Sequence, residues 1–211
     1  MSEEKLLSLT FDDGPNTTCT KAVLDLLEEF GTVGSFFVIG QNITEESAAM
    51  MQRASDMGCE IHNHSYTHSY MDKLTVGQIR DEIARTTELI VKYTGRQPEF
   101  FRPPYIVVDQ KMRDSIDFPF ICGKGCEDWV PTVPAEERAR MMLENVCDGD
   151  IFLLHDMEHN EATVEALKTV IPKLLKQGFR FVNISELFKI KGITPRKGSS
   201  GILYSNCFQT L

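Results

Sequence analysis

Short apolar runs alternate with amphipathic stretches along almost the whole chain. Leu6-Leu7-Ser8-Leu9-Thr10-Phe11 has the pattern of a buried strand, and Gly14-Pro15 ends it, because proline has no N–H to give to a ladder. Asn16 or Thr17 caps a helix through Phe30, with Ala22, Leu24 and Leu27 on its apolar side and Gly31 as its stop. Thr32 to Ile39, rich in Val, Phe and Ile, is a second strand. Thr44 caps a helix to Met57, and Gly58 ends it. Cys59-Glu60-Ile61 is a short third strand. Thr75 and Gln78 form a capping box for a helix to about Tyr93, closed by Gly95. Glu99-Phe100-Phe101 is a fourth strand, a short helix starts at Asp109, and Pro119 to Cys122 is a fifth strand. Pro134 opens a helix to Val146, and Asp150 to Leu154 is a sixth strand. Asn160 caps a helix through Gln177, with Gly178 as its stop. Phe179 to Ile184 is a seventh strand, Ser185 caps a last short helix, and Ile193 to Leu211 shows no clear periodicity.

About seven strand–helix units without an internal repeat predict an α/β protein with a parallel sheet, either open and doubly wound or closed as a barrel. The polar residues favour closure. Asp12 and Asp13 follow strand one, a histidine cluster follows strand three, and Arg102 follows strand four. Asp128 follows strand five and His155 strand six. Contributions from the carboxyl ends of so many strands suit a ring better than a single crevice.

Composition narrows the partners. The 211 residues fit one domain, with 42% hydrophobic and 25% charged residues, as in ordinary globular proteins. A net charge of -9 argues against a nucleic-acid partner and disfavours a strongly anionic substrate. No stretch approaches the roughly 20 apolar residues of a membrane span. The start, Met-Ser-Glu-Glu-Lys, carries no apolar leader, so the chain as written is expected in the cytoplasm; a trimmed leader would instead make it secreted. Cys19, Cys59, Cys122, Cys126, Cys147 and Cys207 are scattered and read as reduced thiols, with a Cys122–Cys126 disulfide the lesser alternative.

The candidate chemistry is concentrated. Asp12 and Asp13 are neighbours at a strand end, so their side chains point in different directions and can divide metal binding and proton transfer. Three of the five histidines lie in His62-Asn63-His64-Ser65-Tyr66-Thr67-His68. If that loop makes a helical turn, His64 and His68 face the same way, and with Asp13 they form a two-histidine, one-carboxylate metal set with open positions. For His62, ligand, supporting donor and plain strand residue are all open, and ligand is disfavoured. His155 can serve as a general acid, with Asp128 beside it to keep it protonated. Arg102 can pair with Asp12 and hold it as a base. Pro103-Pro104 stiffens the backbone, so the N–H of Tyr105 can be a fixed oxyanion donor. Trp129, the only tryptophan, can wall the site, stack on a sugar or pack in the core.

Together these residues closely resemble the polysaccharide deacetylase (NodB-homology, carbohydrate esterase 4) family. Its five ordered motifs appear as TFDDGP at Thr10 to Pro15, HSYTH at His64 to His68, RPPY at Arg102 to Tyr105, DW at Asp128-Trp129 and LLHD at Leu153 to Asp156. The resemblance implies a distorted (β/α)7-like barrel over residues 1–192, with a tail, 193–211, packed on it or trailing from it. It further implies metal-dependent removal of acetyl groups from an oligo- or polysaccharide. In that scheme Asp12 is the base, Asp13, His64 and His68 are the metal ligands, and Arg102 positions the base. The Tyr105 amide stabilises the oxyanion, Asp128 tunes the acid His155, and Trp129 and Leu153 wall the acetyl pocket. Zn²⁺ is the expected metal, with Co²⁺ or another divalent ion as substitutes. His62 and Ile106-Val107-Val108 depart from the family pattern. The bare catalytic domain and a tail like that of clostridial acetylxylan esterases point to O-acetyl xylan or xylo-oligosaccharides. The alternatives are N-acetyl sugars of chitin or peptidoglycan type, a non-haem Fe(II) enzyme with the same ligand set, and a barrel that binds sugar without turnover.

Overall fold

A computed structural model describes residues 4–144 and 146–208. The first half of the chain runs β1 (Lys5–Asp12), α1 (Cys19–Glu29), β2 (Ser35–Val38), α2 (Glu45–Asp56), β3 (Glu60–Asn63) and α3 (Val76–Thr94). The second half runs α4 (Gln110–Ser115), β4 (Phe120–Ile121), β5 (Lys124–Gly125), α5 (Ala135–Glu144), β6 (Asp150–His155), α6 (Glu161–Lys176), β7 (Phe179–Phe181), α7 (Ile184–Ile190) and β8 (Leu203–Tyr204).

β1 is the central strand. One edge pairs in parallel with β6 along its length, from Leu7↔Asp150 to Asp12↔His155. The other edge is divided between β2, at Thr10 to Asp12, and β7, at Lys5 to Leu7. β2 pairs with β3, and single bridges carry the ring from Asn63 to Phe101 and from Phe101 to Phe120 of β4. Closure comes at two levels. Beyond Gly123, at φ 105, the chain enters β5 and pairs with β6. Below that, β8 pairs with β4, and its continuation bridges Asn206 to Asp150 of β6. The ring is therefore closed but irregular, and part of it is built by residues 203–206.

Closure explains where the core lies. Leu6, Phe37, Ile121, Ile151 and Tyr204 fill the barrel, and Leu187 and Phe188 of α7 pack into the same cluster. A second cluster joins the outer faces of β1, β2 and β6 to α1, α2, α5 and α6, as expected for strands buried on both faces. A third packs Met71, Ile79, Phe101, Met112 and Phe120 beneath the loop after Arg102.

Several local expectations shift. The fourth strand shrinks to the bridge at Phe101, because its neighbours pair with it at one residue only. The fifth breaks at Gly123, and the seventh ends at Phe181. The helix expected from Pro134 to Val146 ends at Glu144, and Asn145 lies outside the described residues. Thr44 and Thr75 cap their helices as expected. Asn183, rather than Ser185, caps α7 by accepting from Glu186 N–H at 2.9 Å. Asn160 makes no cap bond, because Arg138 and the His155 carbonyl engage its amide. The tail's aperiodic sequence hides a strand of only two residues. No helix of the described residues is long and apolar enough to cross a membrane.

Candidate active site

The site begins where β1 stops. Asp12 is the last residue of that strand and is buried, while Asp13 turns to φ 75, so the two carboxylates diverge. Gly14 follows because nothing larger fits: a Cβ there would lie 2.4 Å from an Asp156 carboxylate oxygen. Asp156 is fully buried, accepts from Gly14 N–H at 3.2 Å and from the Thr20 hydroxyl, and holds the Asp-Asp-Gly turn against β6. Burial, with the charges of Asp13 and Asp12, pushes its carboxyl up to about 7 despite the Thr20 bond.

His64 and His68 meet, but not on a helical turn. Ser65 and His68 both take positive φ, and the loop is tied down by Glu82 of α3. That buried carboxylate accepts from the Tyr66 and Thr67 amides at 2.8 and 2.7 Å and from the Thr67 hydroxyl at 2.8 Å. The two Nε2 atoms then lie 3.5 and 3.4 Å from Asp13 Oδ1. His64 Nδ1–H donates to the Arg102 carbonyl at 2.7 Å, which fixes the ring with Nε2 toward Asp13. Asp13 Oδ1 is buried and has no hydrogen-bond partner among the described residues. Burial raises the Asp13 carboxyl, but the neighbouring imidazoles, His64 foremost, hold it at about 2. Three acceptor atoms within 4.8 Å of one another, one of them anionic, are the donor set of a divalent cation. His62 lies apart from this set. Its ring contacts Phe37 and Phe100 inside the barrel, its Nε2 is 3.1 Å from Glu60, and its Nδ1 accepts from Glu99 N–H at 3.3 Å. It neither crowds nor supports the metal set.

Arg102 is fully buried and donates through Nη1 to Asp12 Oδ1 at 2.6 Å, with its guanidinium 4.2 Å over the Phe37 ring. Among the described residues its Nε and Nη2 find no partner, so Asp12 is the only hydrogen-bond acceptor there that its side chain reaches. The next turn is strained: Tyr105 and Ile106 take φ 57 and 56, unusual for a tyrosine and more so for a β-branched residue. The departure from the family pattern explains how this is held. Ile106 and Val108 pack on the third core cluster, and the Ile106 and Val107 amides bond back to the Pro103 and Pro104 carbonyls.

The opposite wall carries His155. Asp12 and His155 are register partners on β1 and β6, so the two side chains flank one point. Asp128 is fully buried and accepts from both His155 Nδ1 and the His155 amide, at 2.8 and 2.7 Å. Burial lowers the His155 pKa, but Asp128, aided by Asp12 and Asp13, outweighs it and raises it to about 9. Thr163 and Asn160 bond the other side of Asp128, at 3.0 and 3.5 Å. Both also accept from Arg138, a buried arginine of α5 that additionally holds the Val130 and Val133 carbonyls. Trp129 is 47% exposed, with its ring 5.8 Å from that of His155, so it is a wall rather than core.

A cleft of about 510 Å³ gathers Asp12, Asp13, His64, His68, Tyr105, Trp129, Leu153 and His155, with Arg102 and Asp128 beneath its surface. The ten residues given roles by the family resemblance thus belong to one place, and His62 does not. Glu82 and Arg138 went unread, since each sits in a helix where a charged residue reads as solvated, and Asp156 was read only as the end of LLHD, without its place against Gly14.

The sequence matches the polysaccharide deacetylase family model over residues 1–117. The bifunctional xylanase/deacetylase of Pseudobutyrivibrio xylanivorans is 46% identical over 192 residues, which is 91% of this chain and 32% of that protein. This chain therefore spans about a third of that relative's length. The Xyl-CE4 domain of a multidomain xylanase from the hindgut metagenome of Trinervitermes trinervoides superimposes with a TM-score of 0.94 at 42% identity, covering 98% of this chain and 99% of that one. The family 4 acetyl xylan esterase of Clostridium thermocellum, solved with a cobalt ion, gives 0.92 at 40% identity, covering 96% and 98%. The fold agrees with these neighbours, the donor set suits a divalent ion such as the cobalt of the Clostridium thermocellum esterase, and the chain belongs to the polysaccharide deacetylase family.

Proposed function

We propose that this chain is a Zn²⁺-dependent hydrolase that removes O-acetyl groups from xylan or xylo-oligosaccharides. The observation that carries this reading is the placement of Asp12 with Arg102, and of His155 with Asp128, on either side of the Asp13–His64–His68 set. A divalent cation held there lowers the pKa of water and polarises a carbonyl. Asp12, oriented by Arg102, accepts the proton of the attacking water. The Tyr105 amide faces the charge that develops on the acetyl oxygen. His155, kept protonated by Asp128, gives its proton to the departing sugar oxygen. Leu153 and Trp129 wall the pocket for the acetyl methyl. Hydrolysis needs a base and an acid around the metal, which this site has and which O₂ chemistry does not require. The same pair serves an amide, so N-acetyl sugars are the second reading. Acetate release measured side by side on acetylated xylan, acetylated xylobiose, chitobiose and peptidoglycan fragments decides between them. The proposal expects the xylan substrates to lead, and preference for an N-acetyl sugar overturns it in favour of the second reading. Sugar binding without acetate from any of them would leave only a binding barrel.

A further inference from the structure

We propose that Tyr70 forms a landing face for the sugar unit that adjoins the acetylated one, an inference that rests on the deacetylase reading above. Three rings stand in sequence from the metal set to the rim. Tyr105 meets the His68 ring edge-on at 4.6 Å, and Tyr70 stacks on Tyr105 at 4.0 Å with the planes 13° apart. Tyr70 is 52% exposed, although its neighbour Met71 is buried in the third core cluster. Met71 anchors this segment to the core, and the Tyr70 carbonyl accepts from Lys73 N–H at 3.0 Å, so the backbone is fixed, and the stack on Tyr105 orients the ring. The ring covers one face of Tyr105 and leaves its own outer face to solvent. Across the cleft, Trp129 presents a second half-exposed ring beside His155. Fixed, half-exposed aromatic faces on both sides of a reacting centre suit the C–H-rich face of a neutral pyranose, whose positive edge meets the negative face of the ring.

A ring beyond the cleft rim contacts only substrates that extend past the acetylated unit. Tyr70→Ala is therefore expected to raise KM on acetylated xylotetraose about three- to tenfold. kcat should hold, as should the hydrolysis of 4-nitrophenyl acetate, and Tyr70→Phe should restore the wild-type KM. An unchanged KM in Tyr70→Ala overturns the inference. So does an equal loss on both substrates, which would mean that the change had disturbed His68 through Tyr105. A wild-type enzyme that cleaves the aryl ester but releases no acetate from the tetraose sinks the substrate reading itself. If the wild type deacetylates the tetraose and Tyr70→Ala matches it, the landing face alone fails.

Discussion

Replacing Asp128 with Asn removes the charge beside His155 with little change of shape. The imidazole keeps the burial that lowers its pKa and the weaker pull of Asp12 and Asp13, but loses the carboxylate that raises it most, so it moves from about 9 toward the ordinary 6.5. At 1.36 kcal/mol per pKa unit, that is about 3 kcal/mol of lost imidazolium stabilisation. The sign follows from the role. An acid works while protonated, so activity is retained below its pKa and lost as pH rises through it. At pH 8 the protonated fraction falls from about nine-tenths to about one-thirtieth, whereas at pH 6 most of it remains. Acetate release from acetylated xylobiose, followed from pH 5 to 10 at fixed metal concentration, should show the alkaline limb of kcat/KM displaced downward by about two and a half units. A bound dication lowers the limb in both proteins, so the displacement is the quantity to read. 4-Nitrophenyl acetate, whose leaving group needs no proton, should show a far smaller loss. An alkaline limb that stays in place, or a uniform loss at every pH and on both substrates, would refute the role given to Asp128.

Asp12→Asn should lower kcat by about a hundredfold or more while metal content, measured by plasma mass spectrometry, stays at the wild-type level; loss of metal together with activity would place Asp12 among the ligands. Gly14→Ala forces a methyl to 2.4 Å from Asp156, so it should weaken metal binding and lower the melting temperature, and a variant with wild-type values on both counts would contradict the tight turn. Deletion of residues 193–211 removes the buried Ile202, Leu203, Tyr204 and Cys207. At about 1.5–3 kcal/mol for each large side chain, a cooperative melt should be lost, and a truncated chain that still melts like the full one would show that closure by β8 is dispensable.

The strands that carry the site were legible because each is an apolar run ending in a polar residue: Leu6 to Phe11 delivers Asp12, and Ile151 to Leu154 delivers His155. The histidine pair was legible from its spacing, but the turn that joins it was not. Its shape is set by Glu82, which lies in an amphipathic helix where a glutamate ordinarily faces water. Arg138 was hidden in the same way, in a charged helix whose one buried arginine reaches under the Asp128 loop. The closing strand β8 left no periodic trace, since two paired residues are too few for alternation to register, and its partners lie about 80 positions earlier. Tyr70 gave no signal, because exposed aromatics follow no pattern along the chain. Local pattern thus reveals the elements and the reactive side chains, whereas the contacts that aim them are made by residues distant in sequence.

The account depends most directly on Asp13, His64 and His68 sharing one cation. A crystal grown with Zn²⁺ or Co²⁺ and measured at the metal's absorption edge would settle it. One anomalous peak per chain is expected, at about 2.0–2.2 Å from a carboxylate oxygen of Asp13 and from Nε2 of both histidines. A peak bound elsewhere, or no peak at a metal concentration that supports full activity, would contradict it.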